Sequence, residues 1–275
     1  VEATCTETGL TEGSHCEVCG EVLVAQEVIP ALGHTAGDWE VIAPATCNEE
    51  GTQVKKCTVC GEVLETEAIP VLPAVAQIGE VKYETLAEAF AAAEAGDTIV
   101  ALEKITVEGT ETWDLTGKTL VLKDVTDNYG LVVKGNLTIE GGNFEAGTFG
   151  IGVTATGNRT INAGTFSTPV DYYLIGSWGN TTINGGDFEA VYNNVNAFAG
   201  TLTINGGNFA VTGTDEEYPS EDIFADGEAV IYGGTFSTDP SAFVAEGYDA
   251  VATDGVYGIV ACEYEAVVTE PTCTE

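Results

Sequence analysis

One short pattern recurs along this chain and limits what it can fold into. Leu137-Thr138-Ile139-Glu140-Gly141-Gly142-Asn143-Phe144 is echoed at residues 159–166, 181–188, 202–209 and 229–236. The closing phenylalanines stand 22, 22, 21 and 27 residues apart. A short strand, a corner of two small residues and an aromatic, repeated at this interval, is the signature of a stacked coil. No single coil can bury its apolar side alone, so stacking is obligatory. Ile139, Ile161, Ile183, Ile204 and Ile231 are expected to form one internal ladder and the phenylalanines another. Glycine at the corner admits the positive φ that a tight bend needs. The longest interval holds Asp215-Glu216-Glu217-Tyr218-Pro219, expected to bulge from one coil as a surface loop. Its paired acids, Glu216-Glu217 and Glu221-Asp222, read as solvated charge.

Upstream of the coils the hydrophobic period changes. Thr85 followed by Glu88 fits a capping box, Leu86, Phe90 and Ala93 share one helical face, and Gly96 is placed to end the helix. A lone amphipathic helix just before a β region is positioned to plug the open end of a stack of strands.

The remainder is organised by cysteine. A first module reads Cys5, Cys16-Glu17-Val18-Cys19-Gly20 and Ile29-Pro30-Ala31-Leu32-Gly33-His34. A second reads Cys47, Cys57-Thr58-Val59-Cys60-Gly61 and Ile69-Pro70-Val71-Leu72, and stops where a histidine should follow. Far downstream, Cys262 precedes Tyr264-Glu265-Ala266-Val267-Val268, much as His34 precedes Trp39-Glu40-Val41-Ile42. The second module therefore reads as cut open by an inserted domain. The expected boundaries are residues 1–36 for module one, 37–72 for module two (completed by 261–268) and 73–260 for the insert. Residues 269–275 resemble the opening residues of the chain, so they read as the start of a further unit in a tandem array. With no methionine anywhere and Val1 at its head, the chain is expected to be a piece of a longer protein.

A Cys-x-x-Cys-Gly knuckle aims two thiolates at one point, and four soft or borderline donors suit a tetrahedral zinc ion. The expected ligand sets are Cys5, Cys16, Cys19 and His34 in module one, and Cys47, Cys57, Cys60 and Cys262 in module two. Such zinc would be structural, because four protein ligands leave no position open for water. His15 competes with His34, but His34 follows the repeat. Disulfides remain the alternative, although three cysteines per module cannot pair off internally. Cys273 copies Cys5 and is expected to bridge to a neighbouring unit.

Charge narrows the function classes. Forty-four acidic residues against eight basic ones give a net charge of −36, which repels nucleic acid and anionic lipid. No stretch of about 18 apolar residues is present to span a membrane. After Arg159 there is no further Lys, Arg or His.

The helix running into Ala95-Gly96-Asp97-Thr98-Ile99, followed by strand-Gly-Gly-x-Phe coils, resembles the right-handed parallel β-helix of the pectin-lyase-like superfamily. More narrowly, together with the Ile-Pro-Ala-Leu-Gly-His and Cys-x-x-Cys-Gly modules, it resembles repetitive adhesin-like surface proteins of anaerobic gut bacteria. Enzymes of that fold use a basic residue beside acidic calcium ligands, or clustered aspartates with histidine and an Arg-x-Lys signature. Residues 73–260 contain no histidine, and Arg159, whose sister positions are Leu, Thr and Ala, is expected to point outward. No acid–base pair with separated pKa values is evident. The triplets at Asn136, Asn158 and Asn180 match a glycosylation sequon, but they recur because the coil recurs and read as turn asparagines.

The resulting expectation is an all-β chain: a right-handed parallel β-helix with a capping α-helix and small cysteine-stapled, zinc-ribbon-like β modules. Its expected role is a non-enzymatic repeat unit of an extracellular bacterial surface fibre, stalk or adhesin, its partners being neighbouring identical units and a host surface or glycan. A carbohydrate-binding or carbohydrate-active β-helix is the alternative, with Trp178, Tyr172 and Tyr173 (and Tyr192 nearby) as candidate sugar-stacking residues.

Overall fold

The computed structural model describes residues 1–123, 129–146, 150–154, 156–169, 173–213 and 220–262. The chain divides into two units, one over Val1–Pro73 and one from Ala74 onward.

The larger unit is a parallel β-solenoid of about five turns. Two rows of strands and the corners between them follow the repeat read from sequence. Asn136 pairs with Asn158, and Asn158 with Asn180. Phe144 pairs with Phe166, Phe166 with Phe188, Phe188 with Phe209, and Phe209 with Phe236. A third row, a six-stranded parallel sheet, starts at Ile105–Val107 and ends at Glu221–Ala225. Alternation along each strand sends every second side chain inward, and both expected ladders form. The five isoleucines are fully buried. The phenylalanine rings stack face to face at 4.7–4.9 Å between centroids, tilted by 2–6°. At each corner the second small residue is a glycine with φ between +112° and +127° (Gly142 at +120°), where a Cβ would press on the coil above.

Both ends of the stack are closed by antiparallel strands, which protect edges that would otherwise pair with other chains. At the start Ala76–Ile78 runs antiparallel to Thr98–Ala101. Here helix α1 (Leu86–Ala92) begins with the complete Thr85/Glu88 capping box, buries Ala89 and Ala93 and sets Phe90 edge-on to Trp113 at 5.3 Å. It ends at Ala93, whose extended backbone caps it; Gly96, expected as the helix cap, instead turns the chain beyond it at φ +94°. At the far end the hairpin Tyr248–Thr253/Val256–Ala261 pairs antiparallel with Phe236.

Two expectations about charge are corrected inside the coils. Arg159 points inward and is 1 % exposed, because its strand position is the one that Leu137, Thr181 and Leu202 use to fill the interior. Its guanidinium donates to the Ile151 carbonyl at 3.4 Å and the Thr181 hydroxyl at 3.2 Å. Asp222 is not surface charge either: it is buried and accepts hydrogen bonds from Asn194, Ser237 and both the backbone and hydroxyl of Thr238. Burial raises its pKa above the usual carboxylate range despite those bonds. Glu216, Glu217, Tyr218 and Pro219 lie outside the described residues.

The smaller unit is built twice on one plan. In each copy a Thr-Cys turn is held by its own threonine: Glu7 N–H donates to the Thr4 hydroxyl and Glu49 N–H to that of Thr46, both at 3.0 Å. The Ile-Pro-x-Leu segment returns to that turn, Leu32 N–H to the Thr4 carbonyl and Leu72 N–H to the Thr46 carbonyl, both at 2.9 Å. The first copy carries strands β1 (Gly9–Leu10), β2 (Ser14–His15), β3 (Val22–Val24) and β4 (Val28–Ile29). The second carries β5 (Ala36–Ala43), β6 (Gly51–Cys57) and β7 (Val63–Ile69), an antiparallel sheet with β6 in the middle.

Candidate metal centre

Each Cys-x-x-Cys-Gly forms a tight knuckle. In the second, Gly61 N–H donates to the Cys57 carbonyl at 2.9 Å and Cys57 N–H to the Glu62 carbonyl at 2.8 Å, while Gly61 takes φ +79°. That fold turns the N–H groups of Cys60 and Val59 onto the Cys57 sulfur, which pulls its pKa down to about 5. The first knuckle repeats the arrangement: Gly20 N–H to the Cys16 carbonyl and Cys16 N–H to the Glu21 carbonyl, both at 2.8 Å, with Gly20 at φ +73°. The N–H groups of Cys19 and Val18 lower the Cys16 pKa in the same way.

The ligands converge differently from their order in the sequence. Ligand atoms of Cys5, His34, Cys57 and Cys60 all lie within 4.8 Å of one another. The first two belong to module one and the last two to module two, so the site crosses between modules. Strand β5 is the reason. It places Ala36 opposite Cys57, and Thr58 N–H donates to the Thr35 carbonyl at 2.9 Å. His34, just ahead of that anchor, is thereby delivered to the second knuckle, and Gly33 N–H donates to the Cys5 carbonyl at 3.0 Å, bringing Cys5 with it.

The donor set fits a metal ion. The Cys5 and Cys57 sulfurs are 3.7 Å apart, too far for a disulfide and close to the roughly 3.8 Å expected between two thiolates sharing a tetrahedral zinc at about 2.3 Å each. Cys60 sulfur lies 3.5 Å from His34 Nδ1. Burial, with the neighbouring Cys60 and Cys57 sulfurs, pushes the Cys5 pKa up to about 12; a bound cation relieves that crowding of potential negative charge. No cysteine pair among the described residues is joined as a disulfide. The other imidazole nitrogen, His34 Nε2, lies 3.4 Å from the Glu62 carboxylate. A carboxylate there fixes the tautomer that leaves Nδ1 free to ligate. Glu62 was not singled out by the sequence reading, although a Gly-Glu pair follows both knuckles.

The remaining expected ligands stand elsewhere. Cys16 is half-buried and Cys19 exposed, both in the first knuckle and outside the converging set. Cys47 is buried, its sulfur 3.4 Å from the Asn48 amide. Cys262 is half-buried with its sulfur 3.3 Å from the Asp249 carboxylate. Within residues 1–73 the grouping 5/16/19/34 thus gives way to 5/34/57/60, with Cys16, Cys19 and Cys47 outside the set; Cys262 belongs to the other unit. Cys273 lies outside the described residues.

A second cluster sits on the outer face of the six-stranded sheet. Trp178, 40 % exposed, stacks on Phe198 at 4.6 Å and meets Tyr129 edge-on at 5.9 Å. Tyr173 packs against both Phe198 and Tyr129. Gly152 and Gly176 make room for the Tyr129 ring; a Cβ at either would collide with it. Tyr172 lies outside the described residues, so of the expected sugar-stacking residues Trp178 and Tyr173 join this cluster. The sequon asparagines are absorbed by the coil: the Asn180 amide donates to Asn158 and the Asn158 amide to Asn136, both at 2.9 Å.

Comparison with known protein families, with curated proteins and with solved structures finds no match to this chain.

Proposed function

We propose that this chain is a structural repeat unit of an extracellular bacterial surface fibre, stalk or adhesin, in which zinc-stapled β modules join stiff β-solenoid segments. One observation carries the reading. In residues 1–73 the buried apolar side chains are Cys5, Cys47, Val54 and Cys57, and nothing else. A unit with one buried valine and three buried cysteines has too little apolar core to hold itself together. Its folding free energy must come from something those cysteines bind. Zinc suits three thiolates and an imidazole, and a closed set of four protein donors makes it a staple with no catalytic position. The solenoid supports the same role, its interior filled by side-chain ladders and its one basic residue on the later coils, Arg159, turned inward. No helix among the described residues is long and apolar enough to cross a membrane.

The test is metal content. The purified chain should hold zinc, and His34→Ala or Cys57→Ser should release it while leaving the solenoid folded. A chain that binds no zinc and unfolds its modules with reductant alone would replace the metal staple by disulfides. A second reading, glycan binding, is favoured by the exposed Trp178 on its aromatic bed, since sugar rings stack on such faces. A glycan screen in which Trp178→Ala abolishes a signal would support it.

A further inference from the structure

We infer that the Cys16–Cys19 knuckle is one half of a second metal site, completed by a cysteine and a histidine that another module of the same type brings in on a third strand. The inference rests on reading Cys5, His34, Cys57 and Cys60 as a metal staple, and adds how successive units are joined.

Three independent observations lead there. The first is that the two knuckles are built alike, with the same two backbone hydrogen bonds and the same positive-φ glycine. A Cys-x-x-Cys pair held in a ligating fold without its other two donors is half of a tetrahedral set. The second is the crossing itself. The second knuckle takes its remaining donors from the module before it, while module one's own Cys5 and His34 are committed to that site. Module one thus has no further cysteine for Cys16 and Cys19; of its histidines only His15, beside Cys16, is uncommitted, so at least a third thiolate comes from outside the module.

The third observation is a missing strand. In module two, β6 lies between β5 and β7, and β5 is the strand that delivers His34. In module one, β2 pairs among the described residues with β3 alone, and its other edge has no strand among them. On β3, the strand paired with β2, Leu23 is 65 % exposed, whereas its counterpart Leu64 on β7 is half-buried. The occupant that fits both the open edge and the open knuckle is a segment patterned like residues 1–43. It would carry a Thr-Cys turn, a histidine after Ile-Pro-x-Leu-Gly, and a Trp-Glu-Val-Ile strand to lie along β2. This is β-strand addition with a metal at its end.

The experiment uses the full chain and a peptide of residues 1–47 in which Cys16, Cys19 and Cys47 are each replaced by serine. The peptide presents Cys5, His34 and the β5 strand with no knuckle of its own. With zinc present, the chain should take up one peptide and one additional zinc ion, read by light scattering and metal analysis. Cobalt in place of zinc should give the absorption of a tetrahedral three-sulfur, one-nitrogen site. The chain carrying Cys16→Ser and Cys19→Ser should keep its first zinc yet lose peptide binding. A peptide with His34→Ala should bind at least about tenfold more weakly. The inference is overturned if the zinc-loaded chain ignores the peptide, or if the doubly substituted chain binds it equally well. It is also overturned if the chain alone forms a zinc-dependent dimer joined knuckle to knuckle. A chain that takes up no zinc at all removes the staple reading, and this inference with it.

Discussion

Arg159 is held inside the solenoid with two hydrogen bonds and no ion pair to a carboxylate among the described residues. Burial lowers its pKa from the ordinary guanidinium range to about 9, against a smaller opposing field from Tyr129. The unfolded chain holds that proton more tightly than the folded one, so the charge costs stability at every pH below about 9. The cost fades as the pH rises from there toward the ordinary guanidinium pKa. Replacing a poorly compensated buried charge with an apolar side chain is commonly neutral or stabilising. Arg159→Leu, which copies Leu137 and Leu202 in the same column, should stabilise the solenoid by about 1–3 kcal/mol at pH 7, and thermal melts should show the gain shrinking above pH 9. Thr181 keeps a partner in that variant, since its hydroxyl also lies 3.0 Å from Ser177. At the metal centre Glu62 is the residue-scale counterpart. Glu62→Gln should leave the knuckle folded and weaken zinc binding roughly 10- to 100-fold, measured by competition with a chromogenic chelator.

At the scale of elements, the phenylalanine stack dominates the solenoid's energetics. Phe188 has a ring above and a ring below at 4.9 and 4.7 Å, so Phe188→Ala opens a cavity in the middle of the ladder. It should cost about 3–5 kcal/mol in chemical denaturation. The outer aromatic cluster can be tested through its floor: Gly176→Ala must displace the Tyr129 ring, and the resulting loss of Trp178 packing should appear as a shift in tryptophan fluorescence. The repeat itself made these elements readable. Five copies of one pattern report which positions point inward, and the ladders follow. Arg159 escapes that logic because a column of Leu, Thr and Ala reads as a variable surface position although it is a tolerant interior one. Asp222 escaped it because a Glu-Asp pair beside a polar loop carries no mark of the Asn194, Ser237 and Thr238 side chains that fold in around it.

The whole molecule joins two kinds of stability. The solenoid is a stack in which each coil rests on its neighbours, so its stability accumulates coil by coil. The cysteine unit has almost no apolar core, and on the proposed reading it depends on the metal that Cys5, His34, Cys57 and Cys60 would hold. A strong chelator should therefore abolish the structure of residues 1–73 while the solenoid melts unchanged, and reductant alone should do little. Circular dichroism with and without chelator, compared with a Cys57→Ser chain, separates the two. The sequence by itself determined the solenoid, because a coil's register is set by nearest neighbours about 22 residues apart, each carrying the same pattern. It also determined which residue types would ligate, because a Cys-x-x-Cys-Gly knuckle is a local fold. Only the tertiary structure decided which ligands share a site. His34 closes the module-one motif in the sequence, but it also stands two residues before strand β5, and β5 pairs with module two. Spacing along the chain cannot distinguish those two roles; the sheet hydrogen bonds can, and they carry Cys5 and His34 across to Cys57 and Cys60.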